Sequence, residues 1–297
     1  MAKTRTNSAL DAPAETADGG LASHTMQCME VWGGNVAIES GISVHGVDAW
    51  LYSQPYHGEA SGGDIHYVSM CGRGRIARFV LADIAGHGAE VSDLAVLLRS
   101  LMRKHVITPD QTRFARSLNR SFGRLSKGGI FATAALATYF APTDELIACL
   151  AGHPRPLWYH AVSGDWTLLS HEHTRGSRSS RGLPLGIIHP TEYHQFAVTL
   201  GRGDLVVLYS DGLIESGGPD SRSIGEEGLL ELARAIDPTN PSAFGPSLIA
   251  SVDSEFGWKP GTRGDDLTVL VLHHNAANPP PMSLLHMAKM MAKMMGL

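Results

Sequence analysis

Nine short runs rich in β-branched and aromatic residues, most of them bounded by Gly, Pro or Asp, constrain this chain more than any other feature. They cover residues 46–53, 64–71, 76–84, 131–140, 145–151, 157–160, 195–200, 204–210 and 267–273. Helical periodicity comes in blocks rather than after every strand. Beyond Gly88, the residues Leu94, Leu97, Leu98, Leu101 and Met102 recur at i, i+3, i+4, i+7 and i+8, one apolar stripe that ends near His105. Pro109-Asp110 opens a second helix to about Leu125, with Phe114, Leu118 and Phe122 on one face, and residues 226–236 and 241–256 also read as helical. Consecutive strands with a helix pair inserted fit an α+β layered sandwich better than a βαβ repeat.

Three of these runs meet an aspartate at a Gly-rich turn. The segments are Asp83-Ile84-Ala85-Gly86-His87-Gly88, Tyr209-Ser210-Asp211-Gly212 and Gly264-Asp265-Asp266-Leu267-Thr268, and a fourth aspartate ends Gly62-Gly63-Asp64. A carboxylate at a strand end sits on a rigid scaffold, beside backbone that glycine lets approach a ligand closely. One such Asp is an ordinary turn residue that bonds its own backbone. Four of them from distant parts of the chain repel one another unless a proton or cation intervenes, so the set reads as a site for hard divalent cations.

Composition narrows the function. Of 297 residues, 43% are hydrophobic and 18% charged, an ordinary globular balance. A formal charge of −5, without a long basic run, argues against a general nucleic-acid binder. Cys28, Cys71 and Cys149 are odd in number and far apart, which disfavours a disulfide framework or structural zinc site and fits a reducing cytoplasm. The first residues lack an apolar signal segment, and no run of 18 apolar residues could span a bilayer. Neither a phosphate-binding P-loop nor a G-x-S-x-G nucleophile elbow occurs.

We read residues 1–28 as a disordered tail, 29–275 as one domain and 276–297 as a Pro linker followed by a Met-rich amphipathic helix. In that last segment Leu284, Met287, Met291 and Met294 share a face, and its six methionines make an adaptable apolar surface. The surface offers either self-association or partner docking, or docking back on the chain's own domain.

Histidines divide similarly. His87, between two glycines and near Asp83, is a turn residue or a general acid for a leaving alkoxide. His153, in Ala151-Gly152-His153-Pro154, reads as a structural loop residue. His171-Glu172-His173 has metal-ligand character but sits in a polar loop with Arg175, Arg178 and Arg181, and reads as solvated.

The ordered set G-G-D, D-x-x-G-H-G, A-G-H-P, G-L-P-L-G (Gly182 to Gly186), Y-S-D-G and D-D-L-T resembles the metal-dependent protein phosphatases of the protein phosphatase 2C superfamily, most closely the bacterial sporulation-phosphatase (SpoIIE-like) type. The resemblance covers about residues 40–274. It implies a four-layer αββα sandwich, two antiparallel β-sheets flanked by helix pairs, with two Mn²⁺ or Mg²⁺ ions at one edge. By motif match Asp83 would bridge both metals, and the Ile84 carbonyl would bind one. Asp211 and Asp265 would hold a metal from the opposite sheet, and Asp64 would reach the other through water. Asp266 is a close rival to Asp265. The chain departs from the eukaryotic branch twice. Ile84-Ala85-Gly86 separate Asp83 from His87, and no Arg occurs between Trp50 and Gly63, so phosphate binding would rest on the metals.

The expectation is a cytoplasmic protein serine/threonine phosphatase. It would use a two-metal-activated water on a phosphorylated regulatory protein, such as an anti-sigma-factor antagonist. The alternatives are a catalytically silent partner-binding module of the same fold and a phosphatase of a small phosphometabolite.

Overall fold

The computed structural model describes residues 23–86, 89–126, 129–170, 182–215, 223–258, 264–279 and 281–296. Its strands are β1 (Ser23–Thr25), β2 (Val31–Gly34), β3 (Ile38–Val44), β4 (Val47–Gln54), β5 (Ile65–Cys71), β6 (Ile76–Ile84), β7 (Ala132–Phe140), β8 (Glu145–Ala151), β9 (Leu157–His160), β10 (Asp165–Leu168), β11 (Gln195–Thr199), β12 (Leu205–Tyr209) and β13 (Leu267–His274). Its helices are α1 (Ala89–Lys104), α2 (Gln111–Leu125), α3 (Gly225–Arg234), α4 (Pro241–Phe256) and α5 (Leu284–Met295). One sheet runs β1-β3-β4-β13-β12-β9-β10 and the other β11-β8-β7-β6-β5-β2. Neighbouring strands are antiparallel except β1, which lies parallel to β3 at one edge.

Alternation along the strands builds the layers. On β6, Ala77, Phe79 and Leu81 face the second sheet; on β7 the inward column is Tyr139, Ala137 and Ala135. They meet Leu51, Val206, Leu208, Leu270 and Leu272 of the seven-stranded sheet in the central core. The opposite column of β6 and β7, with Val80, Ala82, Ala134 and Leu136, packs under Leu98, Met102, Phe114 and Leu118 of α1 and α2. On the other side Val207, Tyr209, Val269 and Val271 pack under Leu229, Phe244, Leu248 and Val252 of α3 and α4. The αββα sandwich expected from the sequence is therefore the fold observed. Asp110 caps α2, its side chain accepting from the backbone N–H of Thr112 at 2.8 Å and of Arg113 at 3.1 Å.

Two differences from the sequence reading, and one choice it left open, have physical causes. Ser23–Thr25 pairs with β3 and Met26 is buried in the central core, so these residues of the expected tail belong to the fold. Strands β2, β3 and β10 escape composition: Val31–Gly34 holds two glycines, and Ile38–Val44 contains Glu39, Ser40, Gly41 and Ser43. Partners make these segments into strands, as Trp32 facing Val68 and Gly41 facing Trp50 illustrate. The third point concerns α5, whose destination the sequence left open between a partner and the chain's own domain: its Met face packs on the chain's own six-stranded sheet.

The reason lies in the outer column of that sheet, where α1 and α2 cover only the half nearer the strand ends of interest. A polar row follows. Buried Arg78 donates to the carbonyls of Val106 at 2.8 Å and Thr108 at 2.5 Å, and its guanidinium lies 4.4 Å from the Phe114 ring centroid. Beyond that row Ile76, Phe140 and Ile147 would be bare, and α5 covers them with fully buried Met294 and the flanking Met287, Met290, Met291 and Met295. Gln195 ties the ends together: its Oε1 accepts from the α2 residue Gln111, and its Nε2 donates to the Met294 carbonyl at 2.8 Å.

Candidate metal centre

The apolar columns between the sheets all turn polar at the same end. On β6 the inward series reaches Asp83, on β7 Thr133, just past β12 Ser210, on β13 Thr268 and on β4 Ser53, with alternation placing each on the inner face. Asp83 is directly opposite Thr133, and Ser53 directly opposite Thr268. The Ser53 and Thr268 hydroxyls bond at 2.9 Å, and the Ser210 hydroxyl accepts from the Thr268 backbone N–H at 2.9 Å. A polar floor thus closes the core, and four aspartates gather over it.

Each aspartate is delivered differently. Asp64 immediately precedes β5 and is 3% exposed, and neither carboxylate oxygen has a hydrogen-bond partner. The two glycines before it are required by crowding. A Cβ on Gly63 would lie 2.7 Å from Cγ1 of Val91 and 3.0 Å from the Ile84 carbonyl oxygen, and one on Gly62 would collide with the Asp266 carboxylate. Asp83 and Ile84 end β6, so the Ile84 carbonyl is held against that same turn. Asp211 opens a 3-10 turn after β12, and Gly212 behind it passes too close to the Asp266 backbone for any side chain.

Asp265 and Asp266 separate by burial. Asp266 is buried and accepts from the backbone N–H of Tyr56 at 2.6 Å and of Gly63 at 2.5 Å, so it staples the Gly62-Gly63-Asp64 turn to the start of β13. Asp265 is exposed, and its Oδ1 accepts from the Asp266 backbone N–H at 2.8 Å.

Electrostatics show how close these groups are. Burial pushes the Asp83 carboxyl well above the usual carboxylate range, with repulsion from Asp64, Asp211 and Asp265 adding to it. Asp83 keeps partial contact with solvent, but its carboxyl end is the part shut away among these neighbours. Asp64 is likewise raised, first by burial and then by Asp266, while the Ser210 and Thr268 hydroxyls pull it back without a well-formed hydrogen bond to either oxygen.

Such a cluster is stable only with protons or cations among the carboxylates. Oxygen donors of this kind suit Mg²⁺ or Mn²⁺, and the partnerless oxygens of Asp64 leave acceptor capacity for them. Among the described residues no three acidic, His or Cys side chains already close around one point. The residues suit a divalent cation by donor chemistry and by unmet charge.

A cleft of about 330 Å³ opens beside Asp211, walled by Thr133, Gly152, Pro154, Glu215 and Glu226. It is large enough for a phosphorylated side chain. Asp64, Asp83, Ile84, Asp211 and Asp265 therefore meet at one edge of the sandwich, whereas His87 and His171-Glu172-His173 lie outside the described residues. Sequence reasoning missed the Ser210 and Thr268 hydroxyls and the stapling role of Asp266. The available signal was inward parity: each hydroxyl continues an alternating apolar column.

The family model of stage II sporulation protein E (SpoIIE) matches residues 73–275. The phosphoserine phosphatase RsbU of Bacillus subtilis (strain 168) is 28% identical over 220 residues, 72% of this chain and 59% of RsbU. This chain thus spans somewhat under two thirds of that relative. Among solved structures, the RsbU and RsbW domains of Rv1364c from Mycobacterium tuberculosis superpose with a TM-score of 0.65 at 20% identity, over 87% of this chain and 72% of that one. RsbX in complex with magnesium gives a TM-score of 0.55 at 15% identity, over 80% of this chain and 99% of that one.

Proposed function

This chain belongs to the SpoIIE family, and on that premise we propose that it is a metal-dependent phosphatase of phosphoserine and phosphothreonine in a regulatory protein. The observation that carries the reading is the buried, partnerless carboxylate of Asp64 beside Asp83 and Asp211. Similarity to a named phosphoserine phosphatase and to a magnesium-bound relative of the same fold supports it.

Asp64, Asp83, the Ile84 carbonyl, Asp211 and Asp265 would hold two divalent cations, Mn²⁺ or Mg²⁺. Bound there, the cations supply positive charge for a phosphate dianion and acidify water at neutral pH, so no covalent phospho-enzyme is needed. The chain's own residues do the positioning. Asp266 fixes the turn that presents Asp64, the Ser53, Ser210 and Thr268 hydroxyls form the polar floor beneath the carboxylates, and the Thr133–Glu226 cleft receives the phosphorylated side chain. His87 is the candidate proton donor to the leaving alkoxide. The substrate class we favour is a small anti-sigma-factor antagonist in a partner-switching pathway. A cytoplasmic setting fits the three free cysteines, and among the described residues no helix is long and apolar enough to cross a membrane.

The test is turnover of p-nitrophenyl phosphate and of a phosphoserine protein, with Mn²⁺ or Mg²⁺ and with EDTA. Asp83→Asn and Asp211→Asn should abolish metal-dependent turnover of both while circular dichroism stays native. Near wild-type activity in either variant at saturating Mn²⁺ would overturn the assignment. A wild-type chain that is folded, binds cations and turns over neither substrate would instead be a silent binding module.

A further inference from the structure

The Ala151-Gly152-His153-Pro154 motif carries none of the aspartates, yet its histidine is among the most buried polar residues, at 1% exposed. It stands where the chain leaves β8 of one sheet for β9 of the other. His153 Nδ1 lies 2.8 Å from the Thr133 hydroxyl. Thr133 is directly opposite Asp83, and side chains directly opposite in an antiparallel pair share a face and stand about 5 Å apart at Cβ. The other ring nitrogen, Nε2, is buried without a hydrogen-bond partner. The Tyr209 hydroxyl donates to the Arg155 carbonyl at 2.8 Å, and Arg155 is pinned to Glu226 by its backbone N–H at 2.8 Å and its Nε at 2.7 Å. This crossover is therefore fastened to β7, to β12 and to α3.

We propose that His153 is a positioning residue for the carboxylate site: bonded to the Thr133 hydroxyl of one sheet, on a crossover whose Arg155 carbonyl accepts the Tyr209 hydroxyl of the other, it sets the distance between Asp83 and Asp211. The inference rests on the cation-binding reading above and assigns to this imidazole the job of holding the two sheet edges in register. Asp83 and Asp211 come from different sheets, so a relative slide of those sheets would separate them. Burial drives the imidazole pKa down to about 3, so the ring stays neutral throughout the working pH range and adds no charge to the site. A neutral ring can bond Thr133 without competing with a cation for the carboxylates. Groups bonded directly to a ligand commonly change metal affinity 10- to 100-fold; His153 acts from one residue further out, behind Thr133, so the lower end of that range is expected.

The experiment uses the full chain and reads Mn²⁺ binding by calorimetry, alongside p-nitrophenyl phosphate kinetics and the melting midpoint in EDTA. Thr133→Val removes the hydroxyl at nearly constant volume, His153→Asn keeps a polar group near the Nδ1 position, and His153→Ala removes the ring. Thr133→Val and His153→Ala should each weaken Mn²⁺ binding about tenfold. His153→Asn should recover part of that loss, and the Thr133→Val/His153→Ala double variant should bind no worse than the weaker single. At saturating Mn²⁺, turnover should return further than it does at limiting Mn²⁺. A role confined to folding predicts the opposite pattern: a lowered midpoint in EDTA with unchanged Mn²⁺ affinity, which would overturn the proposal. Should His153→Ala fail to fold, Thr133→Val decides the matter, since it leaves the ring in place. Wild-type protein that bound no Mn²⁺ would sink the cation reading and this role together. Wild-type binding with unaffected variants would sink this role alone.

Discussion

Replacing Asp64 by Asn should make the metal-free protein more stable while weakening its response to metal. The carboxyls of Asp64 and Asp83 are held well above their unfolded values, so in metal-free protein the folded state binds their protons more tightly than the unfolded state does. Stability then contains a favourable contribution that is complete below about pH 4, the unfolded value, and is lost as pH rises through the raised folded values. At neutral to mildly alkaline pH, Asp64 faces ionisation in a buried site with no hydrogen bond to either oxygen. The effective penalty for a buried uncompensated ion is several kcal/mol, against roughly 1–3 kcal/mol for an imperfectly bonded amide of the same shape. The difference leaves Asp64→Asn more stable by about 2 kcal/mol, or roughly 4–8 °C in midpoint for a chain of this size. Thermal melts in EDTA between pH 5 and 8.5 should show wild-type stability falling with pH and the variant falling less. With Mn²⁺ the order should invert, because only the wild type offers the full set of ligands. If Asp64→Asn melted below wild type in EDTA at pH 8, with an equal pH slope, the picture of an uncompensated buried carboxylate would be refuted.

Two further outcomes follow from packing. Gly63→Ala puts a Cβ 2.7 Å from Val91 and 3.0 Å from the Ile84 carbonyl oxygen; it should cost about 1–3 kcal/mol and also reduce Mn²⁺ affinity, read by melts and calorimetry. A loss of stability with unchanged affinity would dissociate that turn from the site. Met294→Ala empties the fully buried centre of the α5 contact and should cost about 2–3 kcal/mol of docking, seen as faster tryptic cleavage at Lys289 and Lys293 with p-nitrophenyl phosphate turnover preserved. Lost turnover would mean that α5 supports the site rather than only the far half of the sheet.

How much of this was readable beforehand depended on whether a segment carries its own reason for its structure. Residues 76–84, 145–151 and 157–160 match β6, β8 and β9 end to end, and 241–256 matches α4, because apolar periodicity and flanking turn residues act locally there. By contrast Ile38–Val44 is a strand because β4 and β1 lie beside it, and Val31–Gly34 because β5 does. Pairing is a property of the neighbour, which composition does not record. The amphipathic face of α5 was equally plain, but its destination was not. A methionine stripe states how much surface must be covered, and only the sheet's outward column, Ile76, Phe140 and Ile147, states which surface needs it.

The site divides along the same line. Asp64, Asp83, Asp211 and Asp265 could be found because each stands at a strand end by a turn that holds glycine, where backbone geometry and charge both mark the position. Choosing between Asp265 and Asp266 required burial, since two adjacent identical carboxylates differ only in what surrounds them. Asp266 meets the backbone N–H groups of Tyr56 and Gly63, and its capacity as an acceptor is already partly used; Asp265 faces outward beside the other acids. His153 was harder for a related reason. As a lone histidine in a loop it has no partner in sequence, and it becomes informative only when Thr133, twenty residues earlier, bonds its ring and Tyr209, fifty-six residues later, bonds the Arg155 carbonyl of the same crossover from the other sheet. Residues that bind a cation leave a charge pattern in the sequence. Residues that hold two sheets at a set distance leave none, because their chemistry lies in pairs that only the fold brings together.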